Sequence, residues 1–489
     1  MSSLSRGSCA SFFGQSAGYV TFVALAASIV ACSSEPTTPA AAGGALGVAG
    51  APPSSGGASG VGASGGTSTA VGGNAGSGGG ALGGASGGGG ANAGSGGMGV
   101  GGASGSAGSG GAGVIASHAA DATFCSGALD SAASDFKGFL QANPDPTKIP
   151  RAVQGATVTT VGIGDWTAGF DAGSLWLLYE HTKDPSYLSA AQAWTNALYS
   201  QRLRTDTHDV GFAIMSSYGQ GYRITQNPDY VAVITKAGQS LSTRFSATVG
   251  CTESWNTPPF HYPVIIDNMM NLELLFRAAT LGPSTTYSGM ATQHALTTLT
   301  NHFRPDFSSY HLVDYDPTTG AVLAKQTVQG ISDDSAWARG QAWGLYGFTM
   351  SYRETHDQRF LTQALAIADF YTLHPDFPAD DVPYFDFSVL QHPEIPPYRD
   401  ASAGAAAASG LLELANYAAP DAAERYRAFA VKTLRSLSAA PYRATAGTNG
   451  HFLLMHSVGN YPGGTEIDVA INYADYYYLE GLGRCATLE

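Results

Sequence analysis

The chain has 489 residues and a formal net charge of −14, and Arg6 and Glu35 are the only formal charges before residue 121. An acidic surface of that kind argues against nucleic acid as a partner and against any long polyanion that local arginines do not meet. The five cysteines, Cys9, Cys32, Cys125, Cys251 and Cys485, form neither a disulfide framework nor a metal-ligand spacing.

The first element in chain order is an apolar run from Tyr19 to Ala31, too short for a membrane span and suited to the core of a secretory signal. The tetrapeptide Ile29-Val30-Ala31-Cys32 resembles a bacterial lipobox, whose cysteine becomes the lipidated first residue. Residues 1–31 are therefore read as a signal peptide, Cys32 as the lipidation site, and the protein as an exported lipoprotein whose membrane attachment, periplasmic or at the cell surface, runs through that anchor. A plain signal peptide with an incidental cysteine is the alternative. Residues 32–120 follow as a Gly/Ala/Ser-rich linker, with no Asp, Glu, Lys or Arg between Pro36 and Ala120. Such a stretch buries too little apolar surface to offset the entropy of ordering it, and about 80 residues of it give a tether on the order of 50 Å.

Residues 121–489 read as one domain. From Trp166 onward an apolar helix, a short polar turn and an amphipathic helix recur, as in LWLLYEHTKDPSYLSAAQAW and YGFTMSYRETHDQRFLTQALAIA. The first helix of each pair is apolar on most sides and belongs inside; the second carries charge on one face and belongs outside. Six inner helices, counted from Ala168, Gly211, Asp267, Arg339, Ser402 and Val469, with an outer partner near Ser131 to Ala142, predict an all-α (α/α)6 barrel. The pieces YHLVDYD and AVLAKQT around Pro317 to Gly320 read as one hairpin. Cys125 and Cys485, near the two ends of the domain, are the pair an oxidising compartment could join.

The polar residues that helix patterning does not require sit at the starts of these inner helices: Asp165 and Trp166, His208 and Asp209, Asp267, Arg339 to Trp343, Arg399 and Asp400, Glu466 and Asp468. Parallel inner helices would bring them to one rim. Any single Asp there is most simply a helix cap, but capping does not call for Trp, His, Arg and Gln alongside. Aromatic faces with planar polar groups suit a sugar ring, and an arginine suits a carboxylate or sulfate on it. Asp267 lies among Val264, Ile265, Ile266, Met269 and Met270, surroundings that favour the protonated carboxyl a general acid needs. Asp209, in THDVGF, is the second acid, in a more polar setting.

Taken together, DWTAGFDAGSLWLLYEHT, HDVGF, IIDNMMNLELL, SSYHLVDYDPTTG, SDDSAWARGQAWGLYGF, RDASAGAAAASGLLEL and HSVGNYPGGTEIDVAINYADYYYLE resemble, in order, the unsaturated glucuronyl hydrolases of glycoside hydrolase family 88. The resemblance implies an (α/α)6 barrel and a small oligosaccharide substrate ending in a 4,5-unsaturated uronic acid. The reaction it implies is hydration of the double bond as a vinyl ether, with no metal and no organic cofactor. It assigns the general acid/base to Asp267 and the supporting aspartate to Asp209. Substrate contacts fall on His311, Gln329, Arg339 and Trp343, with Trp166 and Trp255 as stacking aromatics and His208 beside them; Arg339 is the expected partner of the uronate carboxylate. The oligomeric state stays open, with a monomer favoured. The alternatives are an unsaturated rhamnogalacturonyl hydrolase, an inverting glycosidase of the same architecture and a lipid-anchored sugar-binding protein.

Overall fold

The computed structural model describes the backbone from residue 110 and side chains from residue 118; the signal peptide, Cys32 and the linker to residue 109 lie outside the described residues. The helices in chain order are α1 (Gly110–Ala142), α2 (Ala168–Thr182), α3 (Pro185–Ala197), α4 (Val210–Ile214), α5 (Gln220–Thr225), α6 (Pro228–Ser242), α7 (Asn268–Leu281), α8 (Thr286–Asn301), α9 (Ala338–Thr355), α10 (Gln358–Leu373), α11 (Ala401–Leu414), α12 (Pro420–Leu437) and α13 (Asn472–Cys485). A π segment, Met215–Gly219, joins α4 to α5 into one rod.

Contacts between these elements close a ring. Helix α2 packs on α4, α4 on α7, α7 on α9, α9 on α11, α11 on α13, and α13 back on α2. The remaining helices form an outer layer: α3 lies on α2, α6 on α4 and α7, α8 on α7, α10 on α9, α12 on α11 and α1 on α13. Burial follows the sequence pattern, since every residue of α11 is buried while α12 buries one face, through Ala423, Tyr426, Ala430, Val431, Leu434 and Leu437. This is the expected double ring of six inner and six outer helices.

The inner-to-outer turns use one joint repeatedly. Lys183, Gln226 and His356 end their helices in the left-handed region, with φ of 56°, 55° and 56°. Asp184, Asn227 and Asp357 then cap the next helix by accepting the N–H of Ser186, Asp229 and Arg359, as short polar side chains at helix starts do. Tyr187, Tyr230 and Phe360, which follow, are buried between the layers.

Strands are more numerous than the single expected hairpin. The strands β1 (Lys148–Gln154), β2 (Thr157–Gly162), β3 (Phe245–Ser246), β4 (Cys251–Thr252), β5 (Pro263–Ile265), β6 (Leu312–Tyr315), β7 (Val322–Gln326) and β8 (Ala470–Ile471) make three small antiparallel sheets, ordered β2-β1-β8, β3-β4 and β5-β6-β7. The β6–β7 pair is the hairpin read from the sequence. Two boundaries also differ. Helix α1 is already under way at Gly110, inside the stretch assigned to the linker, and the sixth inner helix begins at Asn472 because Ala470 and Ile471 pair with β1.

Cys125 on α1 and the last residue of α13, Cys485, are joined by a disulfide. It ties the first described helix to the last across 360 positions, and closing so long a loop restricts the unfolded chain, an effect of about 2–5 kcal/mol.

Candidate active site

Each rim residue is delivered by the segment leading into an inner helix. Strand β5 leads into Asp267, and its backbone is fixed on both sides: Ile266 N–H donates to His311 O at 2.9 Å, and Met270 N–H to Asp267 O at 3.0 Å. Both Asp209 and Asp267 occupy the capping position of their helices without accepting a capping hydrogen bond among the described residues. Asp400 is the contrast, since its carboxylate accepts the N–H groups of Ser402 and Ala403. Two of the three acids are thus not used as caps.

Asp267 is 8 % exposed. Its Oδ2 faces His311 Nε2 at 3.6 Å, and neither atom has a hydrogen-bond partner among the described residues. The His311 ring is held edge-on to Trp337, centroids 4.8 Å apart, and its Nδ1 accepts the Val328 N–H at 3.0 Å. A backbone amide can only donate, so the ring proton sits on Nε2, pointing at Asp267.

Asp209 is paired with a second imidazole. Its Oδ1 lies 3.3 Å from His208 Nε2, and its Oδ2 accepts the Thr207 hydroxyl at 2.8 Å. Burial lowers the His208 pKa despite the nearby carboxylates of Asp209 and Asp267, so this imidazole is neutral at neutral pH. The two acid-bearing segments meet at Ser254. Its carbonyl accepts His208 N–H at 3.2 Å, and its hydroxyl accepts Ile265 N–H at 3.0 Å and donates to Asn268 Oδ1 at 2.7 Å.

The expected sugar contacts divide into two groups. Trp166 and Trp255 are half-buried; Trp166 packs against Phe170, Phe212 and Tyr473, with Arg151 5.9 Å from its ring, and Trp255 stands edge-on to Phe260. Gln329 is half-buried beside Val328. These remain accessible to a sugar.

Arg339 and Trp343 are both buried. Arg339 is 1 % exposed, pairs with Asp400 at 2.7 Å, and donates to the carbonyls of Val458 and Gly459. Both terminal nitrogens are committed within the protein, because a buried guanidinium must be met by acceptors. It holds the 458–459 segment to the wall, while its Nε has no partner among the described residues. Trp343 is fully buried between Phe212, 5.5 Å away, and Tyr477, 5.2 Å away, and forms the floor of the site.

Several participants had no assigned part in the expected site. Trp337 backs His311 and also lies under Arg339. Arg151, from β1, joins Asp165 and Glu466 and so binds the first rim segment to the sixth. Asn271 sits one turn after Asp267 and touches His208; that i, i+4 spacing from the acid was the available signal.

A cavity of about 680 Å³ lies elsewhere. It opens among Glu180, Arg223, Glu273, Arg353, Glu480 and Arg484, toward the far ends of the inner helices. Its arginines are spent on its glutamates, as in Arg223–Glu180, Arg353–Glu273 and Arg484–Glu480. Volume favours that cavity, but the uncommitted carboxyl group is at the rim, and chemistry decides for the rim.

Residues 148–480 match the model of Glycosyl Hydrolase Family 88. The chain belongs to this family. It is 45 % identical over 325 residues to the unsaturated glucuronyl hydrolase of Formosa agariphila, covering 65 % of this chain and 80 % of that protein. It is 34 % identical over 329 residues to the unsaturated chondroitin disaccharide hydrolase of Streptococcus agalactiae, covering 65 % and 81 %. The crystal structure of an unsaturated glucuronyl hydrolase specific for heparin superposes with a TM-score of 0.71 at 42 % identity, covering 74 % of this chain and 97 % of that one. The family's motifs therefore span both acid-bearing segments.

Arg339→Ala strands the buried Asp400 carboxylate, and we expect a loss of about 3–5 kcal/mol of stability, seen as a lower melting temperature. A variant with an unchanged melting temperature and a raised KM would return Arg339 to the substrate.

Proposed function

We propose that this family member hydrolyses lyase-generated oligosaccharides of the glycosaminoglycan type, removing the non-reducing 4,5-unsaturated uronic acid, with Asp267 as general acid and base. The relatives are named for unsaturated glucuronyl and chondroitin disaccharide substrates, and the observation that carries the reading to this site is the uncommitted Oδ2 of Asp267 facing His311 Nε2. A carboxyl held by two or three donors is a poor proton carrier; one with a free oxygen can give a proton and take one back.

The steps follow from that group. Protonated Asp267 delivers its proton to C4 of the double bond, and positive charge develops at C5, shared with the ring oxygen. The resulting carboxylate takes a proton from a water molecule as the water oxygen bonds to C5. The hemiketal formed then opens and releases the neighbouring sugar, so one water is consumed and Asp267 ends protonated as it began. The Asp209 carboxylate, which accepts the Thr207 hydroxyl and lies 3.3 Å from His208 Nε2, is placed to orient ring hydroxyls and offset the developing charge. Trp166 and Trp255 supply apolar faces for the sugar.

Incubation with an unsaturated disaccharide should abolish the ultraviolet absorbance of its conjugated double bond. Asp267→Asn should slow that loss by several orders of magnitude with little change in KM, because the group acts in the transition state. No absorbance loss with wild-type protein contradicts the activity, turnover only of rhamnose-linked substrates favours a rhamnogalacturonyl hydrolase, and an active Asp267→Asn contradicts the assignment.

The same proposal includes export and lipid attachment at Cys32. A disulfide between Cys125 and Cys485 supports an oxidising compartment, and no helix among the described residues is long and apolar enough to cross a membrane. In a bacterial host, Cys32→Ala should move the protein from the membrane to the soluble fraction and abolish labelling by a fatty-acid probe. Labelling that survives the substitution rules out the lipobox.

A further inference from the structure

We propose that Asn271 is a positioning residue that fixes the tautomer of His208, and through it the orientation of the Asp209 carboxylate, from the helix that follows Asp267. The inference rests on the proposed role of Asp209 and adds the residue that makes that role geometrically possible.

The N–H of Phe212, in the first turn of α4, lies 2.7 Å from one side-chain atom of Asn271. A backbone N–H only donates, so that atom is the oxygen, Oδ1. The amide nitrogen Nδ2 therefore faces the other way, 3.1 Å from His208 Nδ1 and 3.3 Å from the Asp267 carbonyl. An amide nitrogen also only donates, so His208 Nδ1 is an acceptor and its ring proton is on Nε2. Nε2 is the atom 3.3 Å from Asp209 Oδ1. One backbone amide on α4 thus dictates, through two side chains, which ring nitrogen addresses the second acid.

The fit is built into the helix pair. Asn271 and His208 are 1 % and 2 % exposed, so water does not substitute for either partner. A Cβ at Gly211 would come within 2.4 Å of Asn271 Oδ1 and 2.5 Å of its Cα, which requires glycine where α4 crosses α7. The charged and titratable groups around His208 are Asp209, Asp267, Arg244 and His311. The two acids attract a second proton to the ring, while the two basic groups and burial oppose it. Asn271 is the neighbour that selects between tautomers without adding charge. At the opposite acid Val328 N–H does the same for His311, so both carboxylates face an Nε2–H donor whose tautomer is fixed from behind.

The rival explanation is that Asn271 merely satisfies Phe212 N–H and joins two helices. Asn271→Asp separates the two. It keeps size, shape and the oxygen that accepts from Phe212, but it replaces the donor facing His208 with a carboxylate oxygen. A proton must then move to His208 Nδ1, either as the other tautomer or as an imidazolium. With full-length protein labelled with 15N at histidine, the wild-type His208 signal should be that of the neutral Nε2–H form at neutral pH. The Asn271→Asp protein should show Nδ1–H or doubly protonated His208, with kcat on unsaturated disaccharide lowered about 10- to 1000-fold and KM within a few-fold of wild type.

Wild-type His208 carrying its proton on Nδ1 overturns the proposal without any variant, so a misfolded Asn271→Asp does not shield it. A variant that loses activity while His208 stays Nε2–H also overturns it, in favour of a purely structural role. Asp209→Asn is the control for the underlying reading. If that protein is fully active, the role of Asp209 fails; if it is inactive while Asn271→Asp switches tautomer and keeps full kcat, only the role of Asn271 fails.

Discussion

A closed ring of buried helices leaves each inner helix with starting N–H groups that bulk water does not reach, and the site depends on how those donors are met. At α11 the acid does the work itself, since Asp400 caps the helix and pairs with Arg339. At α4 and α7 other groups do it: Asn271 takes Phe212 N–H, and Met269 and Met270 bond back to Ile266 and Asp267 carbonyls. An unmet buried donor costs about 1–3 kcal/mol, so the freedom of Asp209 and Asp267 exists because something else accepts those amides. The same position in the fold gives a cap in one place and reactive groups in two others.

The small sheets are part of that arrangement. Strand β5 pairs with β6 and brings His311 opposite Asp267, while β1 pairs with β8 and sends Arg151 between Asp165 and Glu466. Backbone strain gathers in the same place: His456, Glu466 and Asp468 all lie at positive φ, 65°, 54° and 56°, in the segment that carries the carbonyls bound by Arg339. Non-glycine residues persist there only when the surroundings over-determine them, and Arg151, Arg339 and the His456–Asp468 pair, 2.6 Å apart, do so.

The helical ring was legible because its signals are local and repeated: an all-round apolar inner helix, a Lys-Asp-Pro or Gln-Asn-Pro joint, a buried aromatic. The convergence of six helix starts followed from it. The burial of Arg339 was not legible, since its charge suggested an anionic ligand and only the tertiary structure shows that Asp400 and two carbonyls accept from its terminal nitrogens. The burial of Trp343 was not legible either, because an indole one turn from Arg339 reads equally as platform or floor. Asn271 lay in plain view in DNMMN, yet its partner is 63 positions away and no periodicity connects them. Short strands such as β5 and β8 are set by their pairing partners and carry little propensity of their own.

On the proposed mechanism the rim adds water to a double bond and does not carry out ordinary displacement at an anomeric carbon. The direct measurement compares turnover of an unsaturated disaccharide with that of its saturated glucuronide counterpart in the same linkage. Hydration needs the double bond, so only the unsaturated sugar should be cleaved. Cleavage of the saturated counterpart at a similar rate would contradict the mechanism built on Asp267.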